Sequence, residues 1–94
     1  MYTAVRELIE PKWSLEILVS LSEESPQNFS AIERQFDTSS DVVSGRLQLL
    51  VEYELVSRTE HTARDVRYSI KPHGERFLAR LAELEEFLNT SAGE

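Results

Sequence analysis

The stretch Phe29–Glu54, FSAIERQFDTSSDVVSGRLQLLVEYE, decides the fold because it has the pattern of two short helices joined by a polar turn. Apolar residues recur in both halves at the spacing of a helix face, at Phe29, Ile32 and Phe36 and then at Val43, Leu47, Leu50 and Val51. The run from Asp37 to Asp41 between them holds no apolar residue and offers side chains that can cap the second helix. This order predicts a helix-turn-helix, whose second helix commonly enters the major groove of DNA.

The sequence that follows changes to the period of a β-strand. Strict alternation over residues 66–70 predicts a strand whose inward side chains are those of Val66, Tyr68 and Ile70. Leu55–Thr59 predicts a first short strand, and Glu60–Asp65 predicts a polar tip longer than a two-residue turn. We therefore expect a β-hairpin directly after the helix-turn-helix, which in a DNA-binding domain is called a wing.

Further helices are predicted on both sides of this unit. Thr3–Ile9 forms a short one, and Pro11 suits the first turn of another that runs to Leu21. In that second helix Leu15 and Val19 widen the apolar stripe, which predicts burial of much of its surface. Ser22–Asn28 is a polar loop, and the last helix starts at Pro72 and ends near residue 89.

The predicted fold is mainly α with a small β-hairpin, a winged helix-turn-helix. Its order is four helices, two strands and a fifth helix. At 94 residues the chain has room for one modest core. We expect this domain to cover residues 1–89, with residues 90–94 as a flexible tail.

The charge is unevenly distributed along the chain. Seventeen acids against ten bases give a formal net charge of −7, the wrong sign for a protein that meets phosphates. Residues 58–80, however, hold six bases and three acids, so the positive charge lies directly after the helix-turn-helix. An acid excess with two lysines is also what we expect of a protein from a high-salt cytoplasm.

Four motifs resemble those of HxlR-type winged-helix transcription regulators. They are KWSLEIL from Lys12, FSAI from Phe29, the run from Ser44 to Leu47 with Leu50 and then LVSR from Leu55, and RYSIKPHG from Arg67. The resemblance spans about residues 9–88 and implies a homodimeric DNA-binding regulator. Many such regulators sense oxidants through a cysteine near the N-terminus. This chain has no cysteine, so that mechanism is excluded.

The chain departs from the family pattern at three further places. Glu10-Pro11 stands where the family usually has glycines. Tyr53-Glu54 stands where the family usually has a small residue or glycine before the wing. The start of the second helix lacks the basic and amide residues often found there, which argues against strong base readout.

The candidate DNA-contacting residues lie on the second helix and the wing, at Ser39, Ser40, Ser44, Arg46, Arg58, Thr62, Arg64 and Arg67. Several have an alternative role in the fold. Ser39 or Ser40 would cap the helix, and Arg46 would pair with Glu52 or another acid. The wing arginines would pair with Glu60 and Asp65, and Arg58 would support the strand. Arg76 and Arg80 would pair with Glu83 or with a partner chain.

The last helix carries more large apolar residues than a small domain covers, so we expect a homodimer. Its candidate interface residues are Val5, Leu8, Phe77, Leu81, Leu84, Phe87 and Leu88. No motif for catalysis, metal or cofactor binding, secretion or membrane insertion is present, so we expect a cytoplasmic protein that is not an enzyme. The predicted function is a transcription regulator that binds double-stranded DNA. The alternatives are a winged-helix module that binds protein, and a replication or plasmid-control protein.

Overall fold

The computed structural model describes residues 1–92 and has the expected winged helix-turn-helix architecture. Its elements are α1 (Thr3–Ile9), α2 (Ser14–Glu23), β1 (Gln27–Asn28), α3 (Phe29–Glu33), α4 (Ser40–Glu52), β2 (Val56–Thr62), β3 (Asp65–Ile70) and α5 (Pro72–Ala92). All five predicted helices and both predicted strands are present. The helix-turn-helix is α3 and α4, and β2 and β3 form the wing.

The core lies between α2, α4 and the inner face of the wing. Its buried side chains come from nearly every element, namely Leu8, Ile17, Leu18, Leu21, Ile32, Val43, Leu47, Leu50, Leu55, Val56 and Tyr68. The apolar stripe predicted for α4 is confirmed for Val43, Leu47 and Leu50, whereas Val51 is only partly buried. On β3 Tyr68 is buried, with Val66 and Ile70 partly buried beside it. Inward alternation on this strand is therefore confirmed.

The sheet has three strands, one more than the sequence predicted. The order is β1-β3-β2 with antiparallel pairing, and Gln27 of β1 pairs with Tyr68 of β3. β1 lies inside the predicted polar loop, and its Gln27 is 7% exposed. The Gln27 amide donates to the backbone carbonyls of Ser20 and Glu24 at 3.1 and 2.8 Å, and its oxygen accepts from Gln35 at 2.8 Å. These bonds offset the burial of a polar side chain.

Helix α2 differs from the expectation at its start and on its outer face. It begins at Ser14, because Trp13 has a left-handed backbone (φ 83°) that interrupts a helix continuing from Pro11. Leu15 and Val19 are 36% and 39% exposed, so the prediction that much of this helix is buried is wrong. These two side chains line an open groove together with Gln35 and Phe36.

The wing and the last helix are both longer than predicted. β2 continues to Thr62 through an irregularity between Glu60 and Thr62, and this reduces the tip to residues 63 and 64. The expectation of a six-residue tip is therefore wrong. α5 continues to Ala92, so residues 90–92 are helical rather than part of a tail. Residues 93 and 94 of the predicted tail lie outside the described residues.

The connection from α4 to the wing is a tight helix end. The N–H groups of Leu55 and Glu54 donate to the carbonyls of Leu50 and Val51, both at 3.0 Å, which is the Schellman arrangement. That arrangement needs a left-handed residue, and Glu54 takes it with φ 63°. Its carboxylate pairs with the Lys71 ammonium at 2.5 Å. The place where related regulators have a small residue is thus a left-handed position held here by glutamate.

Candidate DNA interface and dimer surface

Both helices of the helix-turn-helix are capped, and the cap of the second helix is the one that the polar turn predicts. The Asn28 side chain accepts from the N–H of Ala31 at 2.8 Å, and the Ser39 hydroxyl accepts from the N–H of Val42 at 3.3 Å. The Ser40 hydroxyl donates to the Glu33 carboxylate and so connects α4 to α3 across the turn. The capping role considered for these two serines is therefore taken by Ser39, whereas the bond from Ser40 to Glu33 was not predicted.

Arg46 has a partner that the sequence did not suggest. Its Nε donates to the backbone carbonyl of Lys12 at 2.8 Å, which ties the middle of α4 to the segment before α2. The ion pair with Glu52 that we considered is absent from the described part of the chain. Arg46 is partly buried, so this bond is a structural use of a residue that we expected on the DNA face.

The outward face of α4 is a single exposed stripe. It consists of Asp41, Ser44, Gly45, Gln48 and Glu52. Successive steps of three and four residues place all of them on one side of the helix, opposite Val43, Leu47 and Leu50. Ser44 was among the predicted DNA contacts, but Gln48 was missed. Gln48 lies four residues after Ser44 on the same exposed face of α4, and this spacing could have identified it from the sequence.

Near the tip of the wing, on β3, Arg67 is held by Asp65. Its Nε and one NH₂ group donate to the two carboxylate oxygens of Asp65 at 3.2 and 3.0 Å. These hydrogen bonds lower the pKa of Asp65 and raise the pKa of Arg67. The ion pair that we considered for the wing arginines therefore exists for Arg67.

Arg64 and Arg58 are placed differently. Arg64 lies exposed in the tip, where its backbone N–H donates to the Thr62 hydroxyl at 3.3 Å. Arg58 is exposed on β2, opposite Tyr68. It lines a cleft of about 300 Å³ with Ser44 and with Gln48. It also lines a second cleft of about 290 Å³, shared with Arg64 and with the start of α3.

These two clefts make one continuous surface of the α4 stripe and the wing, with Arg58 at its centre. Neither Arg58 nor Arg64 has a side-chain ion pair within residues 1–92. The role of supporting the fold, which we considered for Arg58, stays a prediction.

The predicted dimer residues separate into buried and exposed groups. Leu8 is 6% exposed and belongs to the core of its own domain, so its assignment to an interface is wrong. Phe77 packs against the same core, and Leu81 is partly buried. The remaining four are available to a partner, with exposed fractions of 43% for Val5, 51% for Leu84, 63% for Phe87 and 55% for Leu88.

No group of His, Asp and Glu side chains in the described residues is arranged to hold a metal ion. Within the same residues, no helix combines the length and the apolar character needed to cross a membrane.

A family model described as HxlR-like helix-turn-helix matches residues 8–94. The chain belongs to the HxlR-like helix-turn-helix family. The predicted resemblance is confirmed, and it places the chain among DNA-binding transcription regulators. No curated protein matches the sequence. The HxlR-like family model therefore carries the assignment.

Solved structures with the same fold are also transcription regulators by name. A regulator described as of the MarR family from Enterococcus faecalis V583 is 23% identical, with 93% of this chain and 81% of that chain covered and a TM-score of 0.77. A protein described as a possible HxlR family transcriptional factor from Thermoplasma volcanium GSS1 is 24% identical, with 96% and 83% covered and a TM-score of 0.71. The reduced form of the regulator YodB from B. subtilis is 23% identical, with 89% and 84% covered and a TM-score of 0.74. At these identities the similarity establishes the fold.

Proposed function

We propose that this HxlR-like protein binds double-stranded DNA as a homodimer, with the outward stripe of α4 in the major groove and the wing beside the phosphate backbone or the minor groove. The observation that carries the proposal is the position of Arg58. It lines clefts with Ser44 and Gln48 of α4 on one side and with Arg64 of the tip on the other. A duplex whose major groove receives α4 would then meet both arginines at its backbone.

The wing supplies the attraction to phosphates in this proposal, because the outward stripe of α4 contains no lysine or arginine. Asp41 and Glu52 lie on that stripe, and Arg46 is bonded to Lys12 instead. Arg67 is paired with Asp65 at 3.0 Å. Arg58 and Arg64 therefore carry most of the phosphate binding, and each neutralised phosphate contributes about −0.9 to the slope of log affinity against log salt.

The test is a titration of the protein with random duplex DNA over a range of salt concentrations. Affinity should fall as salt rises, and Arg58→Ala with Arg64→Ala should flatten the slope by roughly two units per copy bound. Arg6→Ala is the matched control, since it removes an arginine on α1 that pairs with Glu10 at 2.8 Å. The control should leave the slope unchanged. Absence of binding at every salt concentration would refute the proposal.

A second candidate, a domain that binds protein through α4, is favoured by the acidic character of the outward stripe. Absence of DNA binding in the same titration would support it.

The proposed dimer contact is the far half of α5. The molecule measures 53 × 25 × 25 Å, and a helix of 21 residues is roughly 31 Å long, so α5 accounts for much of the long dimension. Leu84, Phe87 and Leu88 lie on this half and are each more than half exposed. A second copy of the same helix would remove these side chains from water, which supports a symmetric dimer.

The charges on α5 favour an antiparallel arrangement of the two helices. The first half carries Arg76 and Arg80, and the second half carries Glu83, Glu85 and Glu86. The pairs with Glu83 that we considered within one chain are absent from the described residues. Antiparallel helices would place the basic half of each copy against the acidic half of the other.

The contact is tested by exchanging one pair of charges. With Leu81 facing Leu84 of the second copy, Arg80 lies opposite Glu85, twice in each dimer. Arg80→Glu or Glu85→Arg alone should therefore shift the dimer toward monomer in sizing chromatography with light scattering. The double exchange should restore it. A double variant that dimerises no better than the single ones would contradict the antiparallel arrangement.

A further inference from the structure

The side chains of α4 divide into those bonded within the fold and those directed outward. Ser39 caps the helix, Ser40 donates to Glu33, and Arg46 donates to the carbonyl of Lys12. Three of the four α4 residues that the sequence suggested for DNA contact therefore already have partners in the fold. The side chains left on the outward stripe are those of Asp41, Ser44, Gln48 and Glu52, of which the Gln48 amide donates to the Glu52 carboxylate at 3.5 Å.

Gly45, in the middle of the same stripe, has no reason within the fold to be a glycine. A Cβ atom built there meets no atom within 4 Å, and its φ is not positive. Glycine in a helix interior lowers the stability of the folded protein relative to alanine. Gly45 therefore destabilises α4, and no contact within the fold requires a glycine there. A glycine on an exposed helix face allows another molecule to approach the backbone closely. Gly45 is thus an independent indication that something packs against this stripe.

We propose that Asp41 and Gln48 read base edges in the major groove, and that Gly45 between them lets the helix approach the bases closely. The proposal rests on the proposed DNA binding and names what α4 recognises. A carboxylate accepts hydrogen bonds only, so Asp41 selects the N4 amino group of cytosine. Guanine and thymine present acceptors in the major groove and are repelled by Asp41. Gln48 offers both a donor and an acceptor, which matches N7 and N6 of adenine.

The spacing along the helix fixes how far apart the two bases are. Asp41 and Gln48 are separated by seven residues, a rise of roughly 10 Å. Base pairs stack every 3.4 Å or so, which makes this distance about three base pairs. Ser44 lies between the two and donates or accepts as required. Each half-site should therefore contain a cytosine and an adenine contact about three pairs apart.

The outward stripe of α4 carries no lysine or arginine, and this strengthens the discrimination between DNA sequences. A lysine or arginine at these positions would bind phosphates of any sequence. The Asp41 carboxylate instead repels phosphates, and cytosine offsets that repulsion best because its N4 amino group donates with no acceptor beside it on the same base, whereas adenine presents N7 next to its amino group. Binding to unrelated sequences is thereby weakened more than binding to the correct site.

The inference is tested by selecting bound duplexes from a random pool with wild-type protein and with Asp41→Asn. Wild-type selection should yield a half-site with an invariant cytosine. Asparagine pairs with adenine, so Asp41→Asn should change that position to adenine, with a preference of roughly tenfold or more. Gln48→Ala should relax the adenine position about three pairs away and leave the cytosine in place. Asp37→Asn is the control, because it removes an exposed charge in the turn before α4 and should leave every position unchanged.

The outcomes separate this inference from the proposed function. A wild-type protein that selects no sequence and binds no duplex refutes the proposed function itself. A wild-type protein that selects a site which Asp41→Asn leaves unchanged refutes the readout, while DNA binding stands. If Asp41 only complements the dipole of α4, the variant lowers the melting temperature without changing the selected base. A change of the selected base from cytosine to adenine with Asp41→Asn supports base readout by Asp41.

Discussion

The two helical glycines of this domain should respond to alanine in opposite directions. Gly45 lies in the middle of α4, where a Cβ meets nothing within 4 Å. Gly74 lies in the first turn of α5, where a Cβ would come within 2.3 Å of the Leu55 carbonyl oxygen and 2.8 Å of Ile70 Cγ1. The added methyl group therefore lies in open solvent at residue 45 and against packed backbone at residue 74.

The size of each effect follows from these distances. Alanine at residue 45 gains helix propensity, about 0.5–1 kcal/mol. At residue 74 the shortest contact is about 1 Å below ordinary van der Waals contact, which starts at 3.4 Å. The Leu55 oxygen cannot move away without loss, because it accepts the N–H of Lys71 at 2.9 Å. Overpacking of this kind costs about 1–3 kcal/mol, so α5 must shift at its start.

The assay is thermal and urea unfolding followed by circular dichroism, at one fixed protein concentration because a dimer melts at a concentration-dependent temperature. In a domain of this size 1 kcal/mol changes the melting temperature by about 4–8 °C. Gly45→Ala should raise the melting temperature by about 5 °C, and Gly74→Ala should lower it by about 10 °C. A Gly74→Ala protein as stable as wild type would refute the close approach of α5 to Leu55. A Gly45→Ala protein less stable than wild type would refute the open position on α4.

Three further predictions concern single contacts. Glu54 takes a left-handed backbone and an ion pair, so Glu54→Ala should lower the melting temperature and Glu54→Gly, which relieves the backbone, should lower it less. Hydrogen bonds from Arg67 hold the pKa of Asp65 below its ordinary value of 3.8. The stability that this pair contributes is therefore present above about pH 4 and lost as the pH falls through the lowered pKa, and Asp65→Asn should reduce the loss of stability on acid titration. The Tyr53 hydroxyl donates to Glu7 at 2.5 Å, which raises the pKa of Tyr53 and ties α1 to the end of α4. Tyr53→Phe should accelerate hydrogen exchange in α1, and unchanged exchange there would contradict the role of this bond.

Features set by neighbouring residues were predictable from the sequence. The cap at Ser39, the buried face of α4 and the alternation in β3 each depend on residues within about seven positions of one another. The left-handed position at Glu54 carries no sequence signal of its own, since glycine is the usual indicator there. The family resemblance identified the position as a departure, and the structure shows how glutamate occupies it.

Features set by distant contacts were not predictable. β1 is two polar residues whose strand character comes from the pairing of Gln27 with Tyr68 and of Asn28 with Arg67. Arg46 bonds to a carbonyl 34 residues earlier, which no local pattern indicates. Leu15 and Val19 fit a buried stripe by periodicity, yet they are exposed at the edge of an open groove. Periodicity identifies a face that is able to pack and does not reveal whether a partner exists for it.

The distribution of charge links dimerisation to DNA binding. If Arg58 and Arg64 supply the phosphate contacts, one copy neutralises about two phosphates and a dimer about four, a salt slope of roughly −3.6 from these residues alone. A single copy gains little from its α4, because the outward stripe repels phosphates unless the correct bases are present. When two copies are joined through α5, binding of the second copy to DNA is intramolecular. The phosphate contacts of both copies then add without a second bimolecular association. Operator DNA should therefore stabilise the dimer, and variants that weaken the α5 contact should lose affinity for the full site more than for an isolated half-site.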